Sequence, residues 1–100
     1  MSDDEPPSDG EPIRLPIEDA IDLHWFPPAD IISVVDEYLR EAHLAGFEVV
    51  RVIHGRGKGF QRAAVQRLLA THEAVDSFWD DTRSHLGATM VRLRTPRPQD

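Results

Sequence analysis

Val49-Val50-Arg51-Val52-Ile53, then His54-Gly55-Arg56-Gly57-Lys58-Gly59, then Phe60-Gln61-Arg62-Ala63-Ala64-Val65-Gln66-Arg67-Leu68-Leu69, read in order as a strand, a glycine loop and a helix. The nearly continuous β-branched run suits a central strand shielded on both faces. The run after the loop places Ala64, Val65, Leu68 and Leu69 on one helical face and leaves Arg62 and Arg67 outside. Three glycines in five residues permit positive φ and expose amide N–H groups at a helix start, where anions bind.

Working outward from this unit, Ile21 and Leu23 alternate with Asp22 and His24, which predicts a short strand over 20–25 closed by Pro27-Pro28. Pro28 then opens a helix in which Ile31, Val34, Val35, Tyr38, Leu39 and Ala42 recur at helical spacing, with Gly46 placed as a left-handed C-cap. Downstream, 75–79 reads as a third strand diluted by aspartates, and 88–93 alternates as a fourth. The order is βαβαββ: an α/β fold, a two-layer sandwich of two helices on a mixed four-stranded sheet. The domain is expected over 17–94, between an acidic, Pro-rich tail over 1–16, expected to be disordered, and a Pro-containing tail over 95–100.

Charge follows the same division. Of the net −7 in one hundred residues, −6 falls in 1–19, where seven acids face Arg14 alone; residues 20–100 carry 11 acids and 10 bases. The acidic total therefore does not exclude a nucleic-acid partner for the folded part. Zero cysteines exclude disulfides, thiolate metal sites and cysteine nucleophiles. No apolar run approaches a membrane span, and the acidic start does not resemble a secretory signal, so no membrane partner and a cytoplasmic location are expected.

Three groups of residues bear chemistry. In the glycine loop, Gly55, Gly57 and Gly59 form an anion cradle, with Arg56, Lys58 and Arg62 as cationic partners for phosphate oxygens. The spacing is not that of a Walker A loop, and a simple βα turn with solvated bases explains the same letters. Asp22 and His24, expected to share one strand face near that loop, form an Asp-x-His pair suited to proton transfer, although strand-end capping pairs have the same spacing. His54 is a second acid/base candidate or a phosphate donor. His43, His72 and His85 complete the histidines without metal-ligand spacing, so no metal centre is expected. Trp79 reads as core, and Trp25 reads either as a stacking platform for bases or as an edge patch.

Together, Ile21-Asp22-Leu23-His24, the helix ending at Ala45-Gly46, the Val52 to Gly59 segment, Val65 through His72 and Gly87-Ala88-Thr89-Met90-Val91-Arg92-Leu93 resemble the Smr (small MutS-related) domain, over residues 20–93. The resemblance implies a stand-alone, single-domain member that binds nucleic acid, RNA or branched or single-stranded DNA. It also implies endonuclease activity, with ribosome-associated or repair proteins as partners. Carried across by position, Asp22, His24 and His54 are the candidate catalytic residues. Gly55, Arg56, Gly57, Lys58, Gly59, Arg62 and Trp25 are the candidate nucleic-acid contacts. RNA chemistry requires no cofactor, because the 2′-hydroxyl is the nucleophile; a hydrated Mg²⁺ at Asp22 is compatible with DNA cleavage. Two positions depart from the family pattern: Trp25 stands where a glycine is usual, and Ser84-His85-Leu86-Gly87 replaces a glycine-rich segment. A non-catalytic nucleic-acid-binding module is the alternative reading, with DNA repair or ribosome and messenger-RNA quality control as its setting.

Overall fold

The computed structural model describes residues 17–57 and 59–95; the acidic segment 1–16, Lys58 and 96–100 lie outside the described residues. Strand β1 (Ala20–Asp22) leads to helix α1 (Ile31–Leu44), strand β2 (Val49–Ile53), helix α2 (Phe60–Thr71), strand β3 (Val75–Asp80) and strand β4 (Ala88–Leu93). The sheet order is β1-β2-β4-β3. β1 and β2 run parallel, and β4 runs antiparallel to both β2 and β3. This is the mixed four-stranded sheet with two helices that the sequence implies.

The first strand is shorter than expected. It ends at Asp22 because the Asp22 carboxylate accepts the His24 backbone N–H at 3.0 Å, turning Leu23–Trp25 into a 3₁₀ turn. Leu23 is buried by that turn, whereas His24 and Trp25 are exposed. The two-residue alternation that suggested a longer strand is thus a strand followed by a turn with one inward residue.

Helix α1 buries the stripe Ile31, Val35, Tyr38, Leu39 and Ala42. It ends where expected: Gly46, at φ +90°, donates to His43 O at 3.1 Å, and Phe47 N–H donates to Ala42 O at 3.1 Å. These two bonds form a Schellman cap. Val65 and Leu69 of α2, Val50 and Val52 of β2, and Val91 and Leu93 of β4 complete the core with that stripe. Leu39 has no exposed surface, so Leu39→Ala would cost about 3 kcal/mol.

Both helices pack against each other in one layer, so only one face of the sheet is covered. β2 is an inner strand, but its burial alternates, with Val50 and Val52 inward and Val49, Arg51 and Ile53 half-buried. It is therefore shielded by a strand on each side, with a helical layer on one face only. The same alternation corrects the expectation for Trp79. Phe78 faces the core, and Trp79, on the opposite face, is 42% exposed with the Arg92 guanidinium 5.7 Å from its ring centroid. That contact is a cation–π pair on the open side of the sheet.

Candidate active site

The parallel pair β1 and β2, in register at Asp22 and Ile53, delivers two βα connections to the same edge of the sheet. At that edge the Asp22 Oδ1 accepts two hydrogen bonds from His24, one from the backbone and one from ring Nδ1 at 2.7 Å. A carboxylate accepting from Nδ1 fixes the tautomer of the neutral ring with its lone pair on Nε2. Those two bonds from His24, the backbone one foremost, hold the Asp22 carboxyl below its ordinary range. The opposite nitrogen lies against the glycine loop: a Cβ built at Gly55 would sit 3.2 Å from His24 Nε2. Gly55 has φ +84°, so the backbone conformation and the proximity of His24 both favour glycine at that position.

The loop then runs into α2 with Gly59 as its N-cap, at φ +86° and without a side-chain cap. The first intrahelical bond, Ala63 N–H to Gly59 O at 2.9 Å, leaves the preceding amides of the first turn without helical acceptors. No acidic residue occupies that turn. His24, His54, Gly55, Arg56, Gly57, Gly59, Phe60 and Gln61 line an open cavity of ≈ 340 Å³. Free amides, the positive end of a helix dipole and the exposed Arg56 give it chemistry suited to an anion, beside an imidazole. A cavity of ≈ 400 Å³ against α1, lined by Ile17, Val34, Tyr38 and two glutamates among others, holds no comparable acid/base pair.

His54 also reaches this cavity but has a different environment from His24. It is 4% exposed, and both ring nitrogens are engaged, Nδ1 with Gly55 O at 2.9 Å and Nε2 with Thr89 Oγ1 at 2.9 Å. A carbonyl only accepts, so Nδ1 carries the proton and the Thr89 hydroxyl donates to Nε2. Thr89 in turn accepts from Gln66 Nε2 at 3.0 Å, and the same amide group donates to Asp80 at 2.9 Å. Burial lowers the His54 pKa, which keeps the ring neutral in this chain of bonds. Both ring nitrogens of His54 are thus bonded within the fold, and the ring braces the Gly55 carbonyl.

Arg62 differs from expectation in a related way. Its Nε and Nη2 donate to the two carboxylate oxygens of Asp80 at 2.9 and 2.8 Å. This bidentate pair, foremost, holds the Asp80 carboxyl below its ordinary range. Arg62 therefore ties α2 to β3, and among the described residues Arg56 is the exposed loop cation. Sequence reasoning missed Gln66 and Thr89 as part of the support. The signal was present in Gly87-Ala88-Thr89: a fully buried hydroxyl needs a partner, and an inward histidine at the end of the neighbouring strand supplies one.

The β3–β4 hairpin completes the edge. The Gly87 carbonyl accepts from both His54 N–H at 3.1 Å and Gly55 N–H at 2.9 Å. His85 and Leu86, in the stretch where glycines are usual, adopt φ of 53° and 70°. Left-handed backbone at two consecutive side-chain-bearing residues is strained.

Fold and site together define an α/β domain that sets a carboxylate-steered imidazole against a glycine-rich βα loop at a helix N-terminus. The description "Smr domain" matches residues 21–94. The chain belongs to the Smr domain family. Among its relatives, the endonuclease MutS2 of Caldicellulosiruptor bescii is 39% identical over 80 residues, 78% of this chain and 10% of that protein. The endonuclease MutS2 of Listeria welshimeri is 40% identical over 81 residues, 79% of this chain and 10% of that protein. The chain thus spans about a tenth of the length of these relatives. The crystal structure of the Smr domain of Thermus thermophilus MutS2 superposes with a TM-score of 0.71 at 33% identity, covering 77% of this chain and 99% of that one. YdaL, a stand-alone small MutS-related protein from Escherichia coli, shares the fold, with a TM-score of 0.69 at 24% identity over 80% of this chain and 67% of that one.

Proposed function

We propose that the domain binds nucleic acid at the glycine loop and cleaves a phosphodiester there, with His24 as general base and Asp22 as the residue that orients it. The observation that carries this reading is the His24 ring itself, with Nδ1 bonded to Asp22 at 2.7 Å and Nε2 directed to the loop at Gly55. A base needs geometry first, and a fixed tautomer with its lone pair beside an anion site provides it.

With RNA, His24 Nε2 takes the proton of the 2′-hydroxyl, the O2′–P bond forms and the P–O5′ bond breaks. The products are a 2′,3′-cyclic phosphate and a 5′-hydroxyl, the latter protonated by solvent or the imidazolium. Arg56 and the free amides at the start of α2 stabilise the charge developing on the phosphoryl oxygens. His54, Thr89 and Gln66 keep the loop in place. RNA is the favoured substrate because its own hydroxyl replaces an activated water. Among the described residues no three His, Asp, Glu or Cys side chains converge, and no step is routed through a metal.

The test is cleavage of end-labelled RNA and matched DNA, each with EDTA or Mg²⁺, by the wild type, Asp22→Asn and His24→Ala. Cleavage of RNA in EDTA that both folded variants lose supports the reading. Cleavage retained by His24→Ala removes His24 from it. The exposed Trp25, beside the base where the family pattern has glycine, favours a second reading, binding without cutting. A wild type that binds both polymers in a salt-sensitive way and cuts neither selects that reading.

A further inference from the structure

The seven aromatic side chains divide sharply by environment. Tyr38 is buried in the core, Phe26, Phe47 and Phe78 pack against it, and Trp79 is covered in part by Arg92. The other two are Trp25, 81% exposed, and Phe60, 78% exposed. Neither belongs to the core cluster, and among the described residues neither ring stacks on another ring or on a cation.

Phe60 lines the cavity, and Trp25 is the residue next to His24, which lines it too. Trp25 directly follows His24 in the 3₁₀ turn that closes β1, and Phe60 is the first residue of α2 and lines the cavity with His24 and Arg56. Local structure explains neither aromatic, since the last position of the turn and the first position of the helix accept small or polar residues equally well. Isolated exposed apolar residues are ordinary, but here, of the only two mostly exposed aromatics among the described residues, one lines the cavity and the other adjoins a residue that does.

We infer that Trp25 and Phe60 are paired stacking platforms that restrict the site to unpaired polynucleotide, one base resting on each flank of the phosphate held in the loop. The inference rests on the proposed nucleic-acid reading of the cavity and extends it to the form of the strand. Within a duplex both faces of each base are covered by its stacked neighbours, so the rings have nothing to engage. An unpaired strand held by its phosphate presents base faces on both sides, and aromatic rings bind such faces with little regard to sequence. Stacking does not read the sugar, so RNA and DNA single strands are both accommodated.

The experiment is equilibrium binding, by fluorescence anisotropy, of a labelled single strand, its duplex and an abasic strand of the same length. The strands are 2′-O-methyl RNA and DNA, which lack the free 2′-hydroxyl, so the readout is independent of cutting and survives failure of the nuclease reading. Wild type is expected to prefer the single strand. Trp25→Ala and Phe60→Ala are each expected to weaken single-strand binding by about tenfold. Binding of duplex and abasic strand should stay within about twofold, and Trp25→Tyr and Phe60→Tyr should restore the preference. The inference is overturned if wild type binds single strand and duplex equally, or if the alanine variants match wild type. Equal loss of affinity for the abasic strand, or failure of both tyrosine variants to restore the preference, overturns it as well. A protein that cuts RNA yet shows any of these results loses this inference alone.

Discussion

His24 and His54 follow the ends of two neighbouring parallel strands, border one cavity and differ in almost everything else. His24 is exposed, with one nitrogen bonded to Asp22 and the other turned toward the loop. His54 is buried, with one nitrogen on a carbonyl and the other on a hydroxyl. The side chain is the same, and the difference lies in how many of its two polar atoms the fold consumes. In His54 both polar atoms are tied into the fold, whereas His24 keeps one nitrogen facing the loop.

The largest expected separation between the two is in rate. His24→Ala should lower RNA cleavage by about a hundredfold or more, while leaving the unfolding free energy within about 0.5 kcal/mol, because the side chain is exposed. Cleavage rates and urea unfolding of the same preparation check both halves. Equal losses of rate and stability would erase the distinction.

Gly55→Ala acts on both histidines' surroundings at once. Its Cβ would crowd His24 Nε2 at 3.2 Å, and its φ of +84° is unfavourable for alanine. A stability loss of about 1 to 2 kcal/mol is expected in thermal unfolding, with a fall in cleavage larger than that loss of folded protein explains. A variant that cuts normally would show that the close approach of loop and imidazole is not needed.

Thr89→Val tests the His54 support. It removes the donor to His54 and the acceptor for Gln66, so a loss of about 1 to 3 kcal/mol is expected, since buried partners are left unpaired. The same support makes stability depend on pH. The folded state binds fewer protons than the unfolded chain because the His54 pKa is lowered. Its contribution is complete above the ordinary histidine value, about 6.5, and is lost as pH falls from there through the lowered folded value. Urea unfolding across that window should show stability rising with pH in the wild type. The slope should be reduced in His54→Gln.

Much of this arrangement was legible in the residues. The helix from Pro28 to the Gly46 cap, the strand–loop–helix unit and the final strand could be read because each has a strong local signal. What escaped was pairing across the fold. Nothing near Arg62 marks Asp80 as its partner, and nothing near His54 marks Thr89, because both contacts join segments far apart in the chain. Trp79 was misplaced for a different reason: alternation identifies two faces of a strand, while which face the helices cover is decided by the handedness of the crossovers. Asp22 and His24 were found as a pair, but through the wrong geometry, a strand face in place of a capped turn.

The smallest effect expected is at Arg56, whose exposed guanidinium has no partner among the described residues and which we propose contacts phosphate. Arg56→Ala should weaken binding of all sequences alike and reduce the salt dependence of log Kd by about one unit. Titrations at several salt concentrations measure this directly. An unchanged slope would leave the helix amides as the main anion contact.

The bifurcated carbonyl of Gly87 divides the glycine loop into two dynamic regimes. His54 and Gly55 have amides bonded to the hairpin, so their hydrogen exchange requires the sheet edge to open and should be slow. The Arg56 and Gly57 amides have no such tie among the described residues and should exchange rapidly in the free protein. The loop is therefore expected to be stiff where it meets the imidazole and compliant at Arg56 and Gly57, with its start held to the register of the sheet.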